Sequence, residues 1–243
     1  MGAVIGIFSA KGGVGKTLLA ANLLAAFGLG HQLQTALIDL TSGTGNADLM
    51  LDLQPKHSWE DLREVIPELN PRHLQLAVTP FRPGLDLLAC PSEIAWNKPL
   101  QKSELTVLLE VFRDLYEVVI LDLPTGTSNL AYYSLDLVDL RLIVVTPDAP
   151  SLRAASRYLQ SLPINRTPFS LVINQHGRSA AVTPSEVENH LGVKLAGVLP
   201  IDPQGVWANV SYGEPCVLHK SSKLGRATRK LSTRLIKIIN NQT

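Results

Sequence analysis

A chain of 243 residues that is 45% hydrophobic and 18% charged, with 22 basic against 21 acidic side chains, can bury one substantial core. It is neither disordered in composition nor globally built to coat nucleic acid, so any basic surface must be local. Two isolated cysteines, Cys90 and Cys216, form no CxxC pair, which argues against a disulfide framework, a zinc ribbon or an iron–sulfur site and suits a reducing cytoplasm.

In chain order, AVIGIF (3–8) reads as a buried first strand and not as a signal peptide, because no basic segment precedes it and a glycine turn follows at once. TLLAANLLAAFGLG (17–30) is a helix pattern that ends at glycines. QTALIDL (34–40), EVVILDLP (117–124), LRLIVVTP (140–147), FSLVINQ (169–175) and LAGVLP (195–200) continue the strand series. Helix candidates at 103–115, 128–137, 150–161, 184–190 and 203–210 alternate with them. Strands that are apolar on both faces and alternate with helices predict an α/β fold of three layers, a doubly wound and mainly parallel sheet with helices on both sides. HLQLAVTPFRPGLDLLACP (73–91) breaks the alternation; two β-like pieces joined through Pro83-Gly84 suggest an antiparallel hairpin at the sheet edge. One domain over 1–243 is expected, without repeats or linkers, and no apolar run approaches the length of a membrane span.

SAKGGVGKT (9–17) carries the chemistry. Its end matches the phosphate-loop pattern GxxxxGK[ST], with Ala10 in place of the first glycine and Gly15, Lys16 and Thr17 present. Such a loop between a strand and a helix turns successive backbone N–H groups toward phosphates. Lys16 can reach phosphate oxygens, and the Thr17 hydroxyl can ligate Mg²⁺. Lys11 has no place in that pattern, and the bland alternative for it is a solvated loop lysine.

KGGVGKT resembles the deviant phosphate loop of the ParA/MinD family of ATPases, and the resemblance covers nearly the whole chain. It implies a P-loop NTPase fold that binds ATP and Mg²⁺ and pairs as an ATP-dependent homodimer, with Lys11 reaching the partner's nucleotide. The loop residues Gly12, Gly13, Val14, Gly15, Lys16, Thr17 and Leu18 would hold phosphate. Asp39, in LIDL, matches the acidic residue closing the second strand, and LDLPTG (121–126) resembles the second switch, with Asp122 for the magnesium water shell and Gly126 near the γ-phosphate. Thr17, Asp39 and Asp122 are thereby the metal-site residues, and Lys11, Lys16 and Asp39 the catalytic set. VINQ places Asn174 where relatives read the adenine edge, and Pro200 and Asp202 would pack around the base.

The resemblance fails at one position that matters. Relatives usually carry two aspartates spaced DxD in the first switch, the second orienting the attacking water, whereas this chain reads Asp39-Leu40-Thr41. A hydroxyl cannot take a proton at neutral pH, and a positioned acid or base is typically worth ~10²–10⁴ in rate. Slow hydrolysis is expected, with a nucleotide-binding scaffold that hardly turns over as the alternative. Asp48 could substitute if the segment folds back, although an acid there more often caps the next helix.

Cysteine scarcity sets aside the nitrogenase-like and cluster-carrier branches. The middle of the chain resembles the CpaE/TadZ branch, which helps place pilus machinery, while division-site and DNA-partition proteins share the same core pattern. No resemblance to the substrate pockets of related metabolic kinases or synthetases is found. From Lys220 onward the chain has no Asp or Glu, and Lys223, Arg226, Arg229, Lys230, Arg234 and Lys237 recur at helical spacing opposite Leu224, Leu231, Leu235 and Ile238. This one-signed face suits nonspecific DNA, although a solvated helix face is the plainer reading of any charge run. The tail lacks aromatic residues and ends polar, which argues against a dedicated membrane anchor, though Leu235, Ile238 and Ile239 leave one conceivable.

Overall fold

A computed structural model describes residues 1–41, 45–91, 99–162, 169–177 and 179–241. The strands are β1 (Ala3–Phe8), β2 (Thr35–Asp39), β3 (Thr79–Arg82), β4 (Leu85–Leu88), β5 (Val118–Asp122), β6 (Leu140–Val145), β7 (Phe169–His176) and β8 (Lys194–Pro200). They form one sheet in the order β3-β4-β2-β5-β1-β6-β7-β8. Every neighbouring pair is parallel except β3–β4. The α-helices are α1 (Lys16–His31), α2 (Pro71–Ala77), α3 (Lys102–Leu115), α4 (Asn129–Leu137), α5 (Ala149–Gln160), α6 (Pro184–Leu191), α7 (Pro203–Tyr212) and α8 (Lys223–Asn240).

Period-two alternation along β1 divides the core. Val4 and Phe8 pack with Trp59, Phe112 and Tyr158 on one side of the sheet, while Ile5 and Ile7 pack with Leu23, Leu24, Phe27, Leu231 and Leu235 on the other. Both faces are therefore covered, as the apolar strand runs require. Because β1 lies between β5 and β6 in the middle of the sheet, the loop leaving it emerges where the carboxyl ends of β2, β5 and β6 converge. Open α/β sheets bind ligands at such a crevice.

The expected three-layer architecture is observed, with corrections at three places. The glycines at 28 and 30 do not stop α1, which runs on to His31 and ends at left-handed Gln32. Gly28 is a packing position, since a Cβ there would lie 1.9 Å from a Leu85 side-chain carbon. The edge hairpin exists but starts at Thr79, and residues 73–77 are helical. Asn70 caps that helix through its side chain and Pro71 occupies the first turn, so the backbone is committed to helix before the alternating leucines are reached. Finally, Leu235 of the tail is buried and Ile238 and Ile239 pack on the core, so these residues are not a free apolar face. No helix among the described residues is long and apolar enough to cross a membrane.

Candidate nucleotide site

The phosphate loop owes its shape to two left-handed glycines, Gly13 (φ 76°) and Gly15 (φ 90°). At Gly15 space reinforces backbone, because a Cβ would sit 2.5 Å from Asn174 Nδ2. Gly15 is also the N-cap of α1 and offers no side-chain cap, whereas α4 through α8 are capped by Ser128, Asp148, Thr183, Asp202 and Ser222. Among the described residues no side chain caps the first-turn N–H groups of α1, which suits an anion. Val14 is buried, and Gly12 and Gly13 are exposed.

Lys16 is 8% exposed and donates to Thr125 Oγ1 at 2.6 Å. Burial lowers its pKa, and the nearby Asp122 and Asp39 carboxylates partly restore it. Thr17 Oγ1 donates to Asp122 Oδ2 at 2.5 Å. Asp39 and Asp122 are register partners on adjacent parallel strands, so two carboxylates face one crevice. Burial, and then the neighbouring Asp39, push the Asp122 carboxyl up to about 7. Asp39 is raised as well, chiefly by burial. Its Oδ1 accepts from both the amide and the hydroxyl of Thr41, and its Oδ2 from the Ala47 amide at 3.3 Å. Gly126 donates its amide to Ser9 O at 3.1 Å, tying the second switch to the loop.

The remaining expected residues have partners of their own. Lys11 is exposed and donates to Asp148 Oδ1 at 3.2 Å. Asn174 is buried beneath the loop, donating to Val14 O at 2.7 Å and accepting from the Gln175 amide at 2.9 Å, so both ends of its amide are engaged. Pro200 ends β8. The Asp202 carboxylate accepts from Gly205 N, Ser222 Oγ and Leu224 N, which makes it the joint N-terminal anchor of α7 and α8. Asp48 precedes a short 3-10 turn, Leu49–Leu51, without capping it through its side chain.

Four neighbours were not foreseen. Thr125 holds Lys16, and Asp148 holds Lys11. Trp59 is fully buried and donates Nε1 to Asp39 O at 3.0 Å. The half-buried Cys90 packs on the first switch, its Sγ 2.2 Å from where a Cβ on Gly45 would sit. A signal for Trp59 was present: Ser58 and Asp61 form a capping box that starts the 3-10 segment Trp59–Glu68.

A family model named ParA, described as the NUBPL iron-transfer P-loop NTPase, matches residues 1–236. The chain belongs to the ParA family. The septum site-determining protein MinD of Synechocystis is 29% identical over 249 residues, covering 97% of this chain and 90% of that protein. A ParA family ATPase from Chlorobium tepidum superposes with a TM-score of 0.87 at 21% identity, covering 96% of this chain and 98% of the other. MinD of Pyrococcus horikoshii, complexed with Mg-ADP, has a TM-score of 0.81 at 23% identity, with 100% and 99% covered. As a ParA family member the chain is a P-loop NTPase, whose loop binds nucleotide.

Proposed function

We propose that this protein is a Mg-ATP-dependent, cytoplasmic dimerising switch of the MinD/ParA type, which positions cargo such as division machinery, DNA or a pilus-assembly complex. The observation that carries the reading is the convergence of Lys16, Thr17, Asp39 and Asp122 at the end of a loop whose helix offers uncapped amides. Magnesium fits this donor set. Asp122 Oδ1 is buried with no hydrogen-bond partner among the described residues, and Thr17 lies against the other carboxylate oxygen. Mg²⁺ keeps several waters and binds through one or two oxygen ligands plus phosphates, so a crevice with few carboxylates suits it. When bound, the ion supplies positive charge to the phosphates; Lys16 adds a second cation and Asp39 and Asp122 orient the water shell.

Lys11 would reach the partner's phosphates on pairing, leaving Asp148. Hydrolysis is slow in this reading, because the Thr41 hydroxyl is spent on Asp39 and supplies no base. The same hydrogen bond favours the second reading, a nucleotide-locked scaffold with little turnover. On the outside, Lys223, Arg226, Lys230 and Arg234 line a groove of about 430 Å³ between α8 and the edge strand β8, with no acidic residue in its walls. We assign DNA phosphates to that groove. Arg229 belongs to the fold instead, donating to the carbonyl of Val217.

Solution mass by light scattering, with Mg-ATP and with Mg-ADP over hours, tests the switch. Doubling in ATP alone, absent in Lys16→Ala, is the expected result. A mass indifferent to nucleotide overturns it, and a doubling that never decays selects the scaffold reading.

A further inference from the structure

We propose that the exposed face of α7 is a contact surface for a second copy of this chain, and that a buried asparagine pair ties it to the nucleotide machinery. The inference rests on the nucleotide-dependent pairing above and adds to it a surface and a route of control. Helix α7, PQGVWANVSY, contains no charged side chain. On it Trp207 is 61% exposed, Val210 53% and Tyr212 58%, and the Trp207 and Tyr212 rings meet edge to face at 5.2 Å. Trp207 and Val210, three residues apart, share one helix face. Leu49, also exposed, lies on the 3-10 turn packed against this helix.

Side chains of this size at these exposures leave roughly 400–500 Å² of apolar surface in water, which is patch-sized for a monomer and often functional. A stable dimer buries about 800 Å² per partner, so the patch would make the apolar core of such a contact. Its lack of charge decides the occupant. A surface that meets its own copy across a twofold axis must be self-complementary, and an uncharged aromatic face meets that condition without like-charge repulsion. The basic face of α8 does not. The patch follows directly from Pro200 and Asp202 at the carboxyl end of β8, the same end of the sheet from which Lys11 projects.

The other face of α7 is fastened to the switch. Asn209, fully buried, donates to Met50 O at 2.7 Å and accepts from Asn22 Nδ2 at 2.8 Å. Asn22 lies in the second turn of α1, the helix that follows the phosphate loop, and its Oδ1 accepts from Val217 N at 3.1 Å. At the end of α7, a Cβ on Gly213 would lie 2.3 Å from the Asp52 amide. Any shift of residues 49–52 on nucleotide binding would therefore move α7 with it, and this is the route by which we couple the dimer face to the occupant of the loop.

Sedimentation velocity on the full chain in Mg-ATP tests this, comparing wild type, Trp207→Lys, Val210→Lys and Lys11→Ala, with a fluorescent ATP analogue measuring nucleotide affinity in each. Trp207 and Val210 are exposed, so a lysine there should leave the fold unchanged, and likewise the nucleotide affinity of the monomer, read at protein concentrations where wild type does not pair. The expected result is a dimer dissociation constant raised at least tenfold in both. Either lysine variant dimerising like wild type while Lys11→Ala does not overturns the α7 surface and leaves nucleotide-dependent pairing intact. A wild type that stays monomeric in Mg-ATP overturns the pairing itself, and the α7 contact with it.

Discussion

The amide and the hydroxyl of Thr41 both donate to one carboxylate oxygen of Asp39, and this pair separates the chain from the DxD pattern it resembles. Replacing Thr41 with Asp would restore a proton acceptor beside the crevice while adding negative charge next to Asp39 and Asp122. Phosphate release at saturating Mg-ATP is expected to rise about 10²-fold, and thermal stability without Mg²⁺ to fall; an unchanged rate would place the limiting step outside chemistry. Asp122 gives a pH signature. Its folded-state value, about 7, stands above the ordinary 3.8, so the folded protein holds a proton that the unfolded chain releases between these limits. Stability from this group is full at low pH and is lost as pH rises toward 7, so the metal-free melting temperature should decline from pH 5 to 8. Magnesium binding should tighten over the same range as the competing proton leaves, and isothermal titration at two pH values checks both the sign and the proton released. Lys16 and Thr17 were legible in the sequence because phosphate-loop chemistry dictates their types and local spacing, whereas Asp122, 105 residues from Thr17, was reached only through the resemblance of LDLPTG. Thr125 and Asp148 were not, since their contacts to Lys16 and Lys11 span 109 and 137 residues and depend on which strands become neighbours.

Among the elements, α7 and α8 hang on a single side chain. Burial works against the Asp202 carboxylate, yet hydrogen bonds from Ser222, Leu224 and Gly205 hold it below the usual carboxylate range, so it stays ionised as a double cap. Asp202→Ala removes the cap of α7 and one acceptor for the start of α8, and leaves the Ser222 hydroxyl proton without its acceptor, which should cost about 2 kcal/mol in urea unfolding, with Asp202→Asn recovering part of the loss. A loss under about 0.5 kcal/mol would mean that the helices are held by packing alone. Sequence reading gave Asp202 to the base because its motif position suggested so; its role as anchor depends on α8 returning twenty residues later, which no local pattern announces. The strands were legible for the opposite reason. The central strands β1, β2, β5 and β6 are predominantly apolar and buried on both faces, which leaves no other use for them. Helix α2 was missed because Leu74 and Leu76 alternate as in a strand, and the Asn70-Pro71 start signal, which wins in the structure, was given no weight.

For the whole molecule, near-neutral net charge makes the distribution of charge the informative quantity. The four cations lining the groove of α8 and β8 lie on the edge of the sheet, and the order that puts β8 there emerges only from the fold. If the groove tracks a phosphate backbone, binding is a polyelectrolyte effect, and each phosphate contact contributes a slope of about 0.9 to the fall of log affinity with log salt. Lys230→Ala with Arg234→Ala should therefore lower that slope by roughly 2 and weaken every duplex sequence alike, as measured by fluorescence anisotropy at several salt concentrations. A paired protein doubles the number of grooves on one particle, so affinity should rise steeply when Mg-ATP is added and should return to the monomer value in Mg-ADP. An unchanged slope in the double variant would remove DNA from the groove. Affinity that ignores nucleotide would leave DNA bound there but disconnect it from the switch, because the link proposed between the two is pairing.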